Sequence, residues 1–133
     1  MKKLISIVTT TFNEKGNIEK LCKEINLVMT KLDYEYEHIV IDNSSSDKTI
    51  EILRKLTKDN PRLKVIINSR NFGHIKSPVY GLLQTKGEAV ILMSADFQDP
   101  PDLIFKYIEE WEKGHEVVLG QKDTSDENFF KHF

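Results

Sequence analysis

The sequence predicts an α/β domain, a mostly parallel sheet with helices on both faces. Short β-branched runs alternate along the chain with stretches whose apolar residues recur at helical spacing. The 133 residues suit one domain with a substantial core. The loops that follow the strands are polar and hydrogen-bond-rich, whereas those that follow the helices, such as "KLDYE", "KDNPR" and "EKGH", are plain charged turns.

The elements follow in order. "LISIVTTT" is a buried first strand. Asn17 stands where it can cap a helix with Ile18, Leu21, Cys22, Ile25, Val28, Met29 and Leu32 on one face. "YEHIVID" is the second strand, and Asp47 or a neighbouring serine can cap "KTIEILRKLTKD", with Ile50, Leu53 and Leu56 inward. "RLKVIIN" is the third strand. "SPVYGLLQTKG" predicts a short helix with Ser77 at the cap, Pro78 at its first position and Gly87 just past its end. "EAVILMS" is the fourth strand, and "DPPDLIFKYIEEWEKG" a helix capped by Asp99 and closed by Gly114. "HEVVLGQ" is a fifth strand. "TSDENFFKHF" opens with a T-x-x-E capping box, Thr124 to Glu127, and predicts the start of an amphipathic helix with Phe129, Phe130 and Phe133 on one face.

Composition narrows the function. Charged residues make up 30% of the chain, yet the net charge is −2, so no general pull toward nucleic acid or anionic membrane follows. The single cysteine, Cys22, excludes an internal disulfide and fits a reducing compartment. "MKKLISIVTTTFNE" begins as a signal peptide would, but its apolar run is short, β-branched and ends in a polar cluster. No run approaches the roughly 18 apolar residues of a membrane span. A soluble cytoplasmic domain is the expectation.

In a parallel sheet, ligands bind beyond the carboxyl ends of the strands. Those ends read "TTFNE", "DNSSSD", "NSRNFGHIKS", "SADFQDPP" and "GQKD". Asp42 ends an apolar run, where a carboxylate can accept paired hydrogen bonds from a base or ribose; Ser45, Ser46 and Asp47 suit serial capping as well as ligand contact. Arg70, His74 and Lys76 flank Gly73, and the nearby helix start would direct free N–H groups toward a phosphate. His74 has no second His or Cys at ligand spacing, so it is not by itself a metal site. Asp96, Gln98 and Asp99 offer oxygens of the kind Mg²⁺ or Mn²⁺ accepts. No G-x-G-x-x-G follows the first strand and no G-x-x-x-x-G-K-[ST] occurs, which argues against a dinucleotide dehydrogenase or a P-loop NTPase. A receiver domain needs an acidic cluster where only Glu14 stands, and a nucleotidyltransferase needs a Gly-rich basic loop absent here.

Four strings resemble the N-terminal half of family 2 glycosyltransferases with the GT-A fold, a Rossmann-like nucleotide-sugar-binding half-domain. "IVTTTFNEKGNI" resembles the family's "VIPTYNEKENI" and "IVIDNSSSDKT" its "VVDDGSSDGT". "SRNFGH" is a string of the family itself, and "SADFQDPPDL" resembles "DADLQDPPEL". They are most similar to the enzymes that move a sugar from a nucleotide donor onto a polyprenyl or dolichol phosphate in cell-wall or glycolipid biosynthesis. The resemblance implies an inverting transferase with a UDP- or GDP-sugar donor, a divalent cation (Mg²⁺ or Mn²⁺) and a lipid phosphate among its acceptors. It also implies work at the cytoplasmic face of the membrane in a longer parent. A homo-oligomer stays open, and no catalytic base is identified. The donor-binding residues it implies are Thr10, Phe12, Glu14, Asp42, Asn43, Arg70, His74, Ser94, Ala95 and Asp96, with Asp96 and Gln98 on the cation. Residues 1–122 would form the donor-binding domain and 123–133 a truncated helical tail.

The departures are specific. Thr10 replaces a proline, Asn43 the second aspartate of a pair, and Ser94 the first aspartate of D-x-D. Lys76, Ser77 and Pro78 stand where small apolar residues are usual. They motivate an alternative, a truncated or degenerate nucleotide-sugar-binding module without catalysis.

Overall fold

The computed structural model describes residues 1–122 and 128–132. They fall into two compact units, Met1–Pro101 and Asp102–Phe133. The first contains β1 (Leu4–Thr11), α1 (Ile18–Thr30), β2 (Glu35–Asp42), α2 (Thr49–Asp59), β3 (Leu63–Ile67), α3 (Gly73–Leu83) and β4 (Ala89–Leu92). Its sheet has the order β3-β2-β1-β4, and every pairing is parallel. The α/β expectation holds.

Topology follows from connection handedness. The chain steps outward from β1 to β2 to β3, then crosses back to lay β4 on the other side of β1. Right-handed crossovers then put α1 and α2 on one face and α3 on the other. Contacts agree: α1 packs on α2, and Gly81 of α3 lies against Val8 and Ile41, which the pairing register assigns to one face. A Cβ on Gly81 would stand 2.6 Å from Val8 Cγ1, so only glycine permits so close an approach of helix to sheet.

Burial holds the elements in place. Ile18, Leu21, Ile25 and Met29 of α1 are buried, each worth about 1.5–3 kcal/mol. The Lys20–Glu24 and Lys23–Glu19 pairs on its exposed side are solvated and screened and contribute little. The apolar stripe decides the helix. Asn17 occupies the N-cap position but makes no side-chain cap bond; its amide donates to Glu14 Oε2 at 3.0 Å instead. On α2, Asp47 accepts the Thr49 N–H at 2.9 Å and performs the expected capping.

A buried polar layer lies toward the amino ends of the strands. Glu37 is 3% exposed and accepts from Ser6 Oγ (2.6 Å), the Lys86 N–H (2.7 Å) and Lys64 Nζ (2.6 Å). Burial alone would raise its pKa, but these donors outweigh it and the carboxyl titrates below its ordinary value.

The second unit contains α4 (Leu103–Glu112), β5 (Val118–Lys122) and β6 (Asn128–His132). β5 pairs antiparallel with β6 in a separate two-stranded sheet, so the fifth strand forms but does not extend the parallel sheet. The expected helical tail is corrected: Asn128–His132 is a strand. An aromatic-containing segment favours pairing with the open edge of β5 over a short, marginal helix. The capping box from Thr124 to Glu127, and Phe133, lie outside the described residues.

Two helix starts also differ from expectation. α3 begins at Gly73, not after Ser77, so Pro78 sits inside it. α4 begins at Leu103 with Asp102 at its cap position, so Asp99 is not that cap. No helix among the described residues is long and apolar enough to cross a membrane.

Candidate functional site

The strands of the first unit end along one edge of the sheet, with β4 stopping opposite Val8 before β1 ends at Thr11. Thr11 pairs with Asp42, Asp42 with Ile67, and Val8 with Leu92. Because β4 lies on the opposite side of β1 from β2, the loops after β1 and β4 diverge and leave a crevice between them. A cleft of about 590 Å³ opens there. Val8, Pro78, Leu92 and Met93 supply its apolar lining; Thr10, Glu14, Asn43, His74 and Ser94 supply polar groups, and Phe12 adds an aromatic ring.

Left-handed backbone gathers in the same loops. Asn13 (φ 54°), Ser44 (φ 61°), Gly73 (φ 86°) and Phe97 (φ 60°) fall one after each of the four strands. For a bulky residue such as Phe97 this is costly and needs surrounding structure to hold it.

The loops after β1 and β2 interlock. Asn13 Oδ1 accepts from the Ser46 N–H (2.8 Å) and the Asp47 N–H (3.2 Å), while its own N–H donates to Ser45 Oγ at 2.9 Å. The Glu14 N–H donates to Thr49 Oγ1 at 2.9 Å. Asp42 lies beneath this lock, fully buried. It accepts from Thr11 Oγ1 (2.9 Å), Ser45 Oγ (2.6 Å) and the Ser45 N–H (2.8 Å), and it does not line the cleft.

Asn43 joins the loop after β2 to the loop after β3. Its Oδ1 accepts from Ser77 Oγ (2.6 Å), Asn68 Nδ2 (2.9 Å) and the Phe72 N–H (3.4 Å), and its Nδ2 donates to the Gly73 carbonyl at 3.3 Å. His74, in the first turn of α3, thereby faces the cleft. Arg70 is exposed, with its guanidinium 4.4 Å from the centre of the Phe72 ring.

After β4, Ser94 Oγ donates to Asp96 Oδ1 at 2.7 Å and the Gln98 N–H donates to the same oxygen at 3.2 Å. The Ser94 hydroxyl, aided by that N–H, holds the exposed carboxyl below the usual carboxylate range, so Asp96 is charged at neutral pH. Ala95 is buried. Among the described residues no three of His, Cys, Asp and Glu gather around one point. One carboxylate with neighbouring oxygens fits a Mg²⁺-like cation that takes its other ligands from phosphate and water.

The sequence model of the family described as Glycosyl transferase family 2 matches residues 6–132. The chain belongs to that family. A relative in Bacillus subtilis, the uncharacterized glycosyltransferase YkcC, is 39% identical over 95% of this chain and 39% of its own length. The undecaprenyl-phosphate 4-deoxy-4-formamido-L-arabinose transferase of Pseudomonas syringae is 32% identical over 87% of this chain and 35% of its own. Among solved structures, S. aureus TarS 1-349 in complex with UDP-GlcNAc superposes with a TM-score of 0.65 at 27% identity, over 86% of this chain and 32% of that one. The chain thus spans well under half the length of these relatives.

As a family 2 glycosyltransferase domain, the chain brings Thr10, Phe12, Glu14, Asn43, His74 and Ser94 to one cleft. Asp96 stands next to it through its bond to Ser94. Asp42 and Ala95 are buried, and Arg70 does not line the cleft. Sequence reasoning missed Asn13, Asn71 and Pro78. Asn13 carried a signal, since an Asx residue just past a strand favours both positive φ and loop hydrogen bonds. Pro78 was masked by its fit to a first helical position.

Proposed function

We propose that this chain is the donor-binding part of an inverting glycosyltransferase that uses a nucleotide-diphosphate sugar and a divalent cation. The observation that carries this is the convergence of the four carboxyl-end loops on one cleft beside β1 and β4, with a charged, exposed Asp96 at its side. Family membership agrees with it.

Each residue has a chemical task in this account. The exposed ring of Phe12 offers a face for a base, and Glu14 can accept from base or ribose donors. The start of α3, with Gly73 and His74, turns the positive end of a helix toward a diphosphate. Arg70 has the reach and charge to approach the same group. Ser94 keeps the Asp96 carboxylate oriented while its oxygen can still accept from a ribose hydroxyl. In transfer, an acceptor oxygen bonds to the anomeric carbon as the carbon–oxygen bond to the diphosphate breaks, and the electron pair leaves with the nucleoside diphosphate. A Mg²⁺ or Mn²⁺ ion on Asp96 and Gln98 would stabilise the charge that grows there.

The acceptor we favour is a polyprenyl phosphate at the cytoplasmic face of the membrane, in line with the named activity of the Pseudomonas relative. Its phosphate monoester, with a second pKa of about 6, is already largely ionised near neutrality and needs little help from a general base. A non-catalytic binding module is the second reading, favoured by the neutral Asn43 and Ser94, where the family strings have carboxylates.

Titration of the chain with UDP- and GDP-sugars, with and without Mn²⁺, tests the donor and cation roles. Asp96→Ala is expected to weaken Mn²⁺-dependent binding about tenfold or more, and Ser94→Asp to strengthen it by adding a second carboxylate. Binding indifferent to both Mn²⁺ and Asp96 would remove the cation from the account.

A further inference from the structure

Asn43 and Ser77, two of the positions that depart from the family strings, lie 34 residues apart in sequence and are hydrogen-bonded at 2.6 Å. Both are buried, at 3% and 1% exposure. Asn68 Nδ2 donates to both, to Asn43 Oδ1 at 2.9 Å and to Ser77 Oγ at 3.2 Å. We propose that Asn43, Asn68 and Ser77 form a neutral anchor that sets the position of the cleft wall bearing His74, and through it the affinity for the nucleotide. This rests on the donor-binding reading of the cleft.

The start of α3 has one local tie, Asn71, whose Oδ1 accepts the Gly73 N–H at 2.8 Å. Its N-cap residue, Phe72, makes no side-chain cap bond, and Pro78 inside the helix has no N–H to give the His74 carbonyl. Gly73 sits at φ 86°, a conformation that the helix does not stabilise. Asn43 adds a long-range tie from outside by accepting the Phe72 N–H and donating to the Gly73 carbonyl. The same amide accepts the Ser77 hydroxyl one turn further along. An aspartate at 43 would have no donor for Gly73, and an apolar residue at 77 would remove the shortest bond to Asn43 Oδ1. The two departures meet in one hydrogen bond. Asn43, Gly73, His74 and Pro78 all line the cleft, so any shift of this turn changes its shape. The three residues act through backbone and His74 placement; they are positioning residues.

The test uses the 133-residue chain with Ser77→Ala, Asn43→Ala, the double variant, and Thr85→Ala as control. Thr85 carries another α3-end hydroxyl bond, to the Leu82 carbonyl, away from the cleft. Hydrogen exchange over residues 69–76 is read without ligand, and Kd for UDP and GDP with Mn²⁺ by calorimetry. Each single variant should speed exchange in that segment about tenfold and weaken nucleotide binding about fivefold. The double variant should add little to either single, because one unit is broken once. Thr85→Ala should change neither readout. Unchanged exchange, faster exchange with Kd unaltered in a chain that binds nucleotide, or the same loss in Thr85→Ala would overturn the proposal. If the unmodified chain binds neither nucleotide, the donor reading falls and the anchor is decided by exchange alone.

Discussion

His38 and Glu37 are adjacent on β2, point to opposite faces of the sheet and are both buried. His38 is held neutral by burial, its pKa pushed down from 6.5 to about 3, with Nε2 2.9 Å from Thr9 Oγ1. The unfolded chain takes up a proton below pH 6.5, whereas the folded chain does not until about pH 3. Stability therefore falls as the pH drops through that window. Between neutrality and about pH 5 the loss from this residue is about 2 kcal/mol, and His38→Asn should flatten the slope of denaturation midpoint against pH. Glu37 is the opposite case, a buried carboxylate kept charged by three donors. Glu37→Ala leaves the buried Ser6 hydroxyl and the Lys86 N–H without their acceptor, while half-exposed Lys64 turns to water, and should cost about 1–3 kcal/mol in urea unfolding. Neither residue was legible as structural from sequence. A Glu and a His inside a strand look alike whether they face solvent, a ligand or each other's neighbours.

At the scale of elements, the order of strands and helices in the first unit was legible because apolar period reports burial directly. α1 shows this well: Ile18, Leu21, Cys22, Ile25, Val28 and Met29 are all buried. The start of α3 was not legible. Local rules favour Pro78 at a first helical position, whereas the long-range bonds of Asn43 to Phe72 and Gly73, with the Asn71 bond to the Gly73 N–H, hold a helix that starts five residues further back. The tail failed for a related reason. Strand pairing of β6 with β5 depends on a partner that a helical period cannot reveal. The contact of α3 with the sheet is itself testable. Gly81→Val would push a branched side chain into Val8 and Ile41. It should destabilise the fold by about 1–3 kcal/mol and weaken nucleotide binding, because α3 bears Gly73, His74 and Pro78 of the cleft. Calorimetric melting, paired with the nucleotide titration, separates the two effects.

For the whole molecule, topology pointed to where a cleft would lie before any side chain was known. A parallel sheet whose order reverses beside β1 leaves a crevice at its carboxyl edge. The cleft is there, and most of the residues named from the strings line it. Asp42 was ambiguous from sequence alone, since a carboxylate at a strand end serves a ligand or a loop equally well. Here its oxygens hold Thr11 and Ser45. The chain covers only part of its relatives' length, and we propose donor binding as the task of this unit. That is the central claim, and its most direct test is a map of ¹H–¹⁵N chemical-shift changes on adding UDP or GDP with Mg²⁺. The account predicts shifts confined to the cleft loops, at Phe12, Glu14, Asn43, His74, Ser94 and Asp96, with buried positions such as Cys22 unmoved. Absence of shifts with either nucleotide, or shifts centred away from the carboxyl edge of the sheet, would contradict it.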